Sequence, residues 1–148
     1  MYKHILIATD GSELAAKGVE HGLALAAGLG ARITILSVVE PLAPETMEAA
    51  LAGGMSDPII RYEQEMDEEM AALAASIRVE ADRLGVPVAT LCETDESPAK
   101  AIIRAARAND CDLIVMTSHG RSGFKKVLLG SQTAEVLKNT ALPVLVVR

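Results

Sequence analysis

Five short runs of uninterrupted apolar residues, separated by segments with helical spacing, limit what this chain can fold into more than any other feature. The runs are Lys3–Thr9 (KHILIAT), Arg32–Val39 (RITILSVV), Val86–Cys92 (VPVATLC), Asp112–Met116 (DLIVM) and Pro143–Arg148 (PVLVVR). A strand wetted on one face alternates apolar and polar residues. Runs that are apolar throughout belong to a parallel sheet covered on both faces. Right-handed crossovers carry the first strand to the second and the second to the third in one direction. If the chain then returns to the other side of the first strand, the order is 3-2-1-4-5. The expected fold is therefore α/β, an open parallel sheet of five strands with helices on both faces. Half of the residues are hydrophobic but only 2% are aromatic. The core must be built from Ala, Val, Ile, Leu and Met. The 148 residues suit one domain, 1–148.

The helical segments follow the same logic. Leu14, Ala15, Val19, Leu23 and Ala26 recur at helical spacing after Asp10-Gly11-Ser12, a turn that also offers a helix cap, and Gly28 and Gly30 close the segment. Tyr62–Leu84 carries an apolar stripe of Met66, Met70, Leu73, Ile77, Ala81 and Leu84 with acidic residues opposite and Gly85 as its stop. The methionines on that stripe read as core. Ser97-Pro98 starts a helix with Ala99, Ile102, Ile103 and Ala106 on one face. Ser131 is expected to cap a last helix to about Asn139, with Val136 and Leu137 inward. Residues 41–60 hold three prolines and Gly53-Gly54 and are the least patterned part. A short helix fits around Thr46–Leu51, and no chemistry is assigned there.

In a sheet of this order, ligands bind beyond the carboxyl ends of the strands, where the order reverses. That crevice lies between Thr9-Asp10-Gly11 and Thr117-Ser118-His119-Gly120. The second wall continues through Gly123 to Gly130-Ser131 and a helix start, so loop amides and a helix N-terminus can face one anion. Gly120, Gly123 and Gly130 permit close backbone approach, and Ser131 offers a hydroxyl and a free N–H. Arg121, Lys125 and Lys126 could offset phosphate charge. Asp10 would repel a phosphate directly, but could accept from ribose hydroxyls or hold a Mg²⁺ that bridges phosphates. Val38 and Val39 could flank a base. The plainer readings are that Asp10-Gly11 is a turn and Gly123 a turn glycine.

Other chemistry lacks its pattern. His119 could act as a base, but no nucleophile pattern accompanies it, and G-x-S-x-G, G-x-G-x-x-G and the Walker lysine motif are absent. His4 and His21 read as structural or solvated, and three scattered histidines make no metal site. Cys92 and Cys111 lack metal spacing and read as buried or partly buried free thiols. A net charge of −6 argues against nucleic acid as partner. No stretch has the length of a membrane span, and Ile5–Ala8 is too short for a signal peptide, so a cytoplasmic location is expected.

These residues resemble the universal stress protein family along the full chain. The ATP-binding members carry a glycine, two residues, a glycine, nine residues, then glycine with Ser or Thr. That frame falls here on Thr117, Gly120, Gly130 and Ser131, with Arg121 to Leu129 as the nine. The opening IATDGS and closing PVLVVR are also similar to the family. The resemblance implies a Rossmann-like fold that binds ATP (or ADP or AMP, with Mg²⁺) and acts as a sensor or regulator in stress response. It implies Ala8, Thr9 and Asp10 near ribose and base, and Val38 against adenine through its backbone. It puts phosphates at Gly120, Gly130, Ser131 and Gln132, with Met116, Thr117 and Arg121 completing the site. It further implies a homodimer through the last strand, Val144, Leu145, Val146 and Val147, an apolar edge that a protein must cover or pair; a further protein partner is open. Thr117 stands where the family has its first glycine, so its side chain either crowds the nucleotide or adds a hydroxyl to it. That residue motivates the second reading, a nucleotide-free dimerisation or interaction module of the same fold. A third reading, an enzyme, lacks the SGG-type or HIGH-type loops of related folds, and slow ATP hydrolysis is what remains of it.

Overall fold

Each apolar run becomes a strand, and its alternate residues enter opposite cores. A computed structural model describes residues 1–119 and 129–148. In chain order the elements are β1 (His4–Ala8), α1 (Glu13–Leu29), β2 (Arg32–Val39), α2 (Pro44–Ala52), α3 (Pro58–Leu84), β3 (Val88–Thr94), α4 (Pro98–Ala108), β4 (Leu113–Thr117), α5 (Ser131–Asn139) and β5 (Val144–Val147). The five strands are parallel in the order β3-β2-β1-β4-β5, as expected. On one face Ile5, Ile7, Ile33, Ile35, Leu113 and Val115 pack with Val19, Leu23 and Ala26 of α1 and Ile77 and Ala81 of α3. On the other, Leu6, Leu36, Ile114 and Met116 pack with α4 and with Val136 of α5.

The expectation of uniformly buried strands holds only in the middle of the sheet. β1 and β4 are buried almost throughout, whereas β3 is a mix of half-buried and exposed residues and in β5 only Val147 is buried. These two strands are the edges, where the helical layers no longer cover both faces. Cys92, on β3, is therefore exposed rather than buried, while Cys111 is buried and burial pushes its thiol up to about 11. The short helix in 41–60 forms as α2, and it buries none of its residues. The long acidic helix α3 begins at Pro58, earlier than its stripe suggested.

Two glycines set how closely α1 lies on the sheet. A Cβ at Gly22 would fall 2.3 Å from Ile7 Cδ1, and one at Gly18 would fall 3.0 Å from Thr117 Cγ2. The pair, one turn apart, lets the helix backbone rest on β1 and β4.

His4 lies at the amino end of β1, on the opposite end of the sheet from the crevice. Its Nε2 is 2.8 Å from Thr34 Oγ1, and both residues are buried. Burial, reinforced by the Arg32 charge, holds its pKa below the ordinary imidazole value of 6.5; a hydrogen bond with the Asn109 backbone and the nearby Asp112 and Asp110 oppose that shift without reversing it. The unfolded chain therefore takes up this proton more readily than the folded one. The stability contributed by the neutral ring is fully present above about pH 6.5 and is lost as pH falls below that value toward the folded pKa. Urea unfolding between pH 7.5 and 5 should show stability falling with acid over this window, and His4→Gln should flatten that slope. An unchanged slope in the variant would assign the acid sensitivity to other groups.

Candidate functional site

The carboxyl ends of β1 and β4 face the same crevice because the two strands are neighbours in register, Ile7 beside Val115. At the β1 end the chain turns sharply. Thr9 N–H donates to Leu36 O at 2.9 Å and keeps the turn attached to β2. Asp10 Oδ1 accepts from Ser12 N–H at 3.0 Å, Gly11 takes a φ of 79°, and Ser12 Oγ caps α1 by accepting from Ala15 N–H at 3.1 Å. Asp10-Gly11 thus forms a turn. It also fixes the carboxylate at the strand end, half-buried beside the crevice.

Ala8 and Val38 form the apolar floor beside it. Both sit on the α4/α5 face of the sheet, directly above Leu6 and Leu36, which are fully buried. Ala8 and Val38 are only partly buried, so the apolar surface opens to solvent at the strand ends. Met116, on β4, belongs to the same cluster and is buried.

The β4 wall is held by a compact set of hydrogen bonds. Ser118 N–H donates to Val147 O at 2.9 Å, and Gly130 N–H donates to Ser118 O at 2.7 Å. Thr133 Oγ1 donates between Thr117 O at 3.0 Å and Ser118 O at 3.2 Å, and the residue is 2% exposed. The start of α5 is thereby tied to the end of β4. A Cβ at Gly130 would lie 2.7 Å from Ser118 O. Its φ of −60° is ordinary, so close approach to the backbone is what demands glycine here.

Several expected contributions change in detail. Ser131 does not cap α5. Gly130 occupies the capping position with an extended backbone and no side-chain bond, because its N–H is drawn to Ser118 O, and Ser131 becomes the exposed first helical residue. Leu137, expected inward, is 42% exposed; only Val136 and Thr133 of α5 are buried. Gln132 Oε1 accepts from Ala99 N–H at 3.0 Å, so its side chain is engaged with α4. Thr117 turns toward α1. Its methyl lies over Gly18 and its hydroxyl donates to His119 O at 2.9 Å. Ser118 Oγ is 3.0 Å from His119 Nδ1, a contact between chain neighbours. Gly120 and Arg121, together with Gly123, Lys125 and Lys126, lie outside the described residues. Among the described residues no group of three His, Cys, Asp or Glu side chains could hold a metal, and no helix is long and apolar enough to cross a membrane.

Thr133 carries much of this wall together with Ser118, and the sequence reading, which placed Ser118 in the wall, assigned Thr133 no part in it. A threonine two residues into a helix has no visible signal, since its partners are backbone carbonyls of another element.

The family model that matches is the universal stress protein family, over residues 1–148. The chain is 32% identical to a universal stress protein of Thermus aquaticus over 148 residues, covering all of both chains. It is 30% identical to universal stress protein MJ0577 of Methanocaldococcus jannaschii over 156 residues, covering all of this chain and 96% of that protein. The solved structure of MJ0577 superposes with a TM-score of 0.80 at 28% identity, covering 99% of this chain and 96% of that one. A universal stress protein of Archaeoglobus fulgidus in complex with dAMP shares the fold, with a TM-score of 0.65 at 18% identity and coverage of 99% and 98%. The sequence frame, the strand order and these matches agree: the chain belongs to the universal stress protein family.

Proposed function

We propose that the protein binds ATP in the crevice between β1 and β4 and acts as a regulatory or sensor homodimer of the cytoplasm in stress response. The observation that carries this reading is the position of Gly130, which caps α5 without a side chain and is held against β4 by its own N–H to Ser118 O, so that the amides of Ser131 and Gln132 open the helix beside the crevice. Bare amides at a helix start suit phosphate oxygens. Ala8 and Val38 give a base an apolar floor, and Asp10 stands where ribose hydroxyls would need an acceptor. Gly130, Ser131 and the Gln132 backbone are assigned to the phosphates, with Gly120 and Arg121 of the preceding loop. A single carboxylate is a sparse donor set for Mg²⁺, so the ion would enter with the phosphates, which supply its other ligands. The dAMP complex of the Archaeoglobus fulgidus relative supports an adenine nucleotide as ligand.

Thr117 supports this reading over the nucleotide-free one, because its side chain is engaged with α1 and His119 rather than standing in the crevice. The reading is one of binding; any ATP hydrolysis is slow and secondary. The homodimer would pair the free edge of β5, where Leu145 is exposed and Val144 and Val146 are half-buried, while Val147 is buried beside Thr117.

Titration calorimetry of the folded protein with ATP and Mg²⁺ tests the site, with light scattering on the same sample for the dimer. Saturable binding of one ATP per chain is expected. No heat at millimolar ATP from a folded dimer overturns it.

A further inference from the structure

A groove of about 800 Å³ runs between α4 and α5 on the outer surface of the molecule, apart from the crevice. Ala99, Ile103 and Ala108 give it an apolar floor, and Lys100, Arg104 and Arg107 line its α4 side. These cations stand out in a chain of net charge −6. They are not equivalent. Arg104 is engaged on β3 and the following turn, with its guanidinium 2.5 Å from Glu93 Oε2 and 3.1 Å from Asp95 Oδ2. Among the described residues no carboxylate lies within ion-pair distance of Lys100 or Arg107, and both are exposed. They are two helical turns apart on one face, about 10 Å along the axis, with half-buried Ile103 between them.

The opposite wall is α5, with Glu135 and Asn139. Glu135 is already answered there, by Lys138 Nζ at 3.4 Å and Asn139 Nδ2 at 3.2 Å. The two helices are also tied together at one end. Gln132 Oε1, on the first turn of α5, accepts the Ala99 N–H on the first turn of α4. A preformed groove with an apolar floor and two exposed cations, outside any ion pair among the described residues and at helical spacing, has a definite complement.

We propose that the α4/α5 groove docks an acidic amphipathic helix of a protein partner. Two carboxylates seven residues apart would face Lys100 and Arg107, and an apolar side chain between them would cover Ile103. Helix-in-groove recognition reads such anchors at three-, four- and seven-residue intervals. The complementary charges set specificity and the rate of encounter.

The test uses the full chain and two synthetic helical peptides. One carries glutamates at i and i+7 with leucines at i+3 and i+4; the other is identical with lysines for the glutamates. Amide chemical shifts of the ¹⁵N-labelled protein report the site, and fluorescence anisotropy reports affinity. The acidic peptide should shift amides of 99–108 and 132–139 and bind more weakly as salt rises. Lys100→Glu with Arg107→Glu should weaken it by about tenfold or more without changing the melting temperature, and the basic peptide should bind no better to the original protein than to that variant. No groove shifts at millimolar acidic peptide, or equal binding of both peptides, overturns the proposal. So does concentration-dependent shifting of groove amides without any peptide, which would assign the groove to the acidic α3 of a second copy.

Discussion

Gly130→Val should weaken nucleotide binding severely while leaving most of the fold intact. A Cβ at this position meets Ser118 O at 2.7 Å and His119 Cα at 3.5 Å, both backbone atoms. Ser118 O cannot retreat cheaply, because it accepts from Gly130 N–H and from Thr133 Oγ1. The variant must therefore break the Gly130–Ser118 bond, at a net cost of about 1 kcal/mol, and move the start of α5 away from β4. Amides aimed at one point lose that aim. We expect ATP affinity to fall by on the order of a hundredfold, about 2.8 kcal/mol in binding. Calorimetry measures the affinity and thermal unfolding measures the fold separately. A variant that binds ATP as the original does would remove Gly130 from the site.

Gly22→Leu should have the largest effect on stability. Leucine gains about 1 kcal/mol over glycine in helix propensity, so on an exposed helix face the change would be favourable. Here the new Cβ alone would lie 2.3 Å from Ile7 Cδ1 and 2.8 Å from Ile7 Cγ1. Ile7 is 0% exposed and sits in the middle strand of the sheet, so it has nowhere to go. Overpacking costs about 1–3 kcal/mol for a few added methylenes, and occasionally more; leucine adds its full side chain at a helix–sheet contact. Overpacking wins, and a net loss of about 2 kcal/mol should lower the melting temperature by about 4–8 °C. A melting temperature at or above the original would show that α1 can lift off β1 freely, contrary to the tight packing seen here.

Gly22 and its neighbour on α1, Gly18, show where the sequence stopped being readable. Gly18 and Gly22 lie inside a helical pattern, where glycine reads only as a weak helix former. Their purpose depends on which strands pass beneath α1, and that is settled by the order of β1 and β4 in the sheet. Thr117 was legible as a departure from the family frame but not in its consequence. Alternation along β4 places it on the α1 face with Leu113 and Val115, and there its methyl and hydroxyl find partners. Ser131 was misread as a cap because a serine before a helical pattern is a good local signal. The long-range bond from Gly130 N–H to Ser118 O moved the cap by one residue.

Fold class was legible in the sequence, because five short apolar runs alternating with helical segments point to a parallel sheet covered by helices, and crossover handedness then restricts its order. The position of the crevice followed from that order, and Asp10 and Gly130 followed from the position. Only the tertiary structure decided which atoms make its walls. Thr133 and Ser118 hold the glycine turn, and Gln132 fastens α5 to α4, through contacts between residues distant in sequence. Local propensity records what a segment prefers, whereas a hydrogen bond between two elements exists only once packing has placed them together.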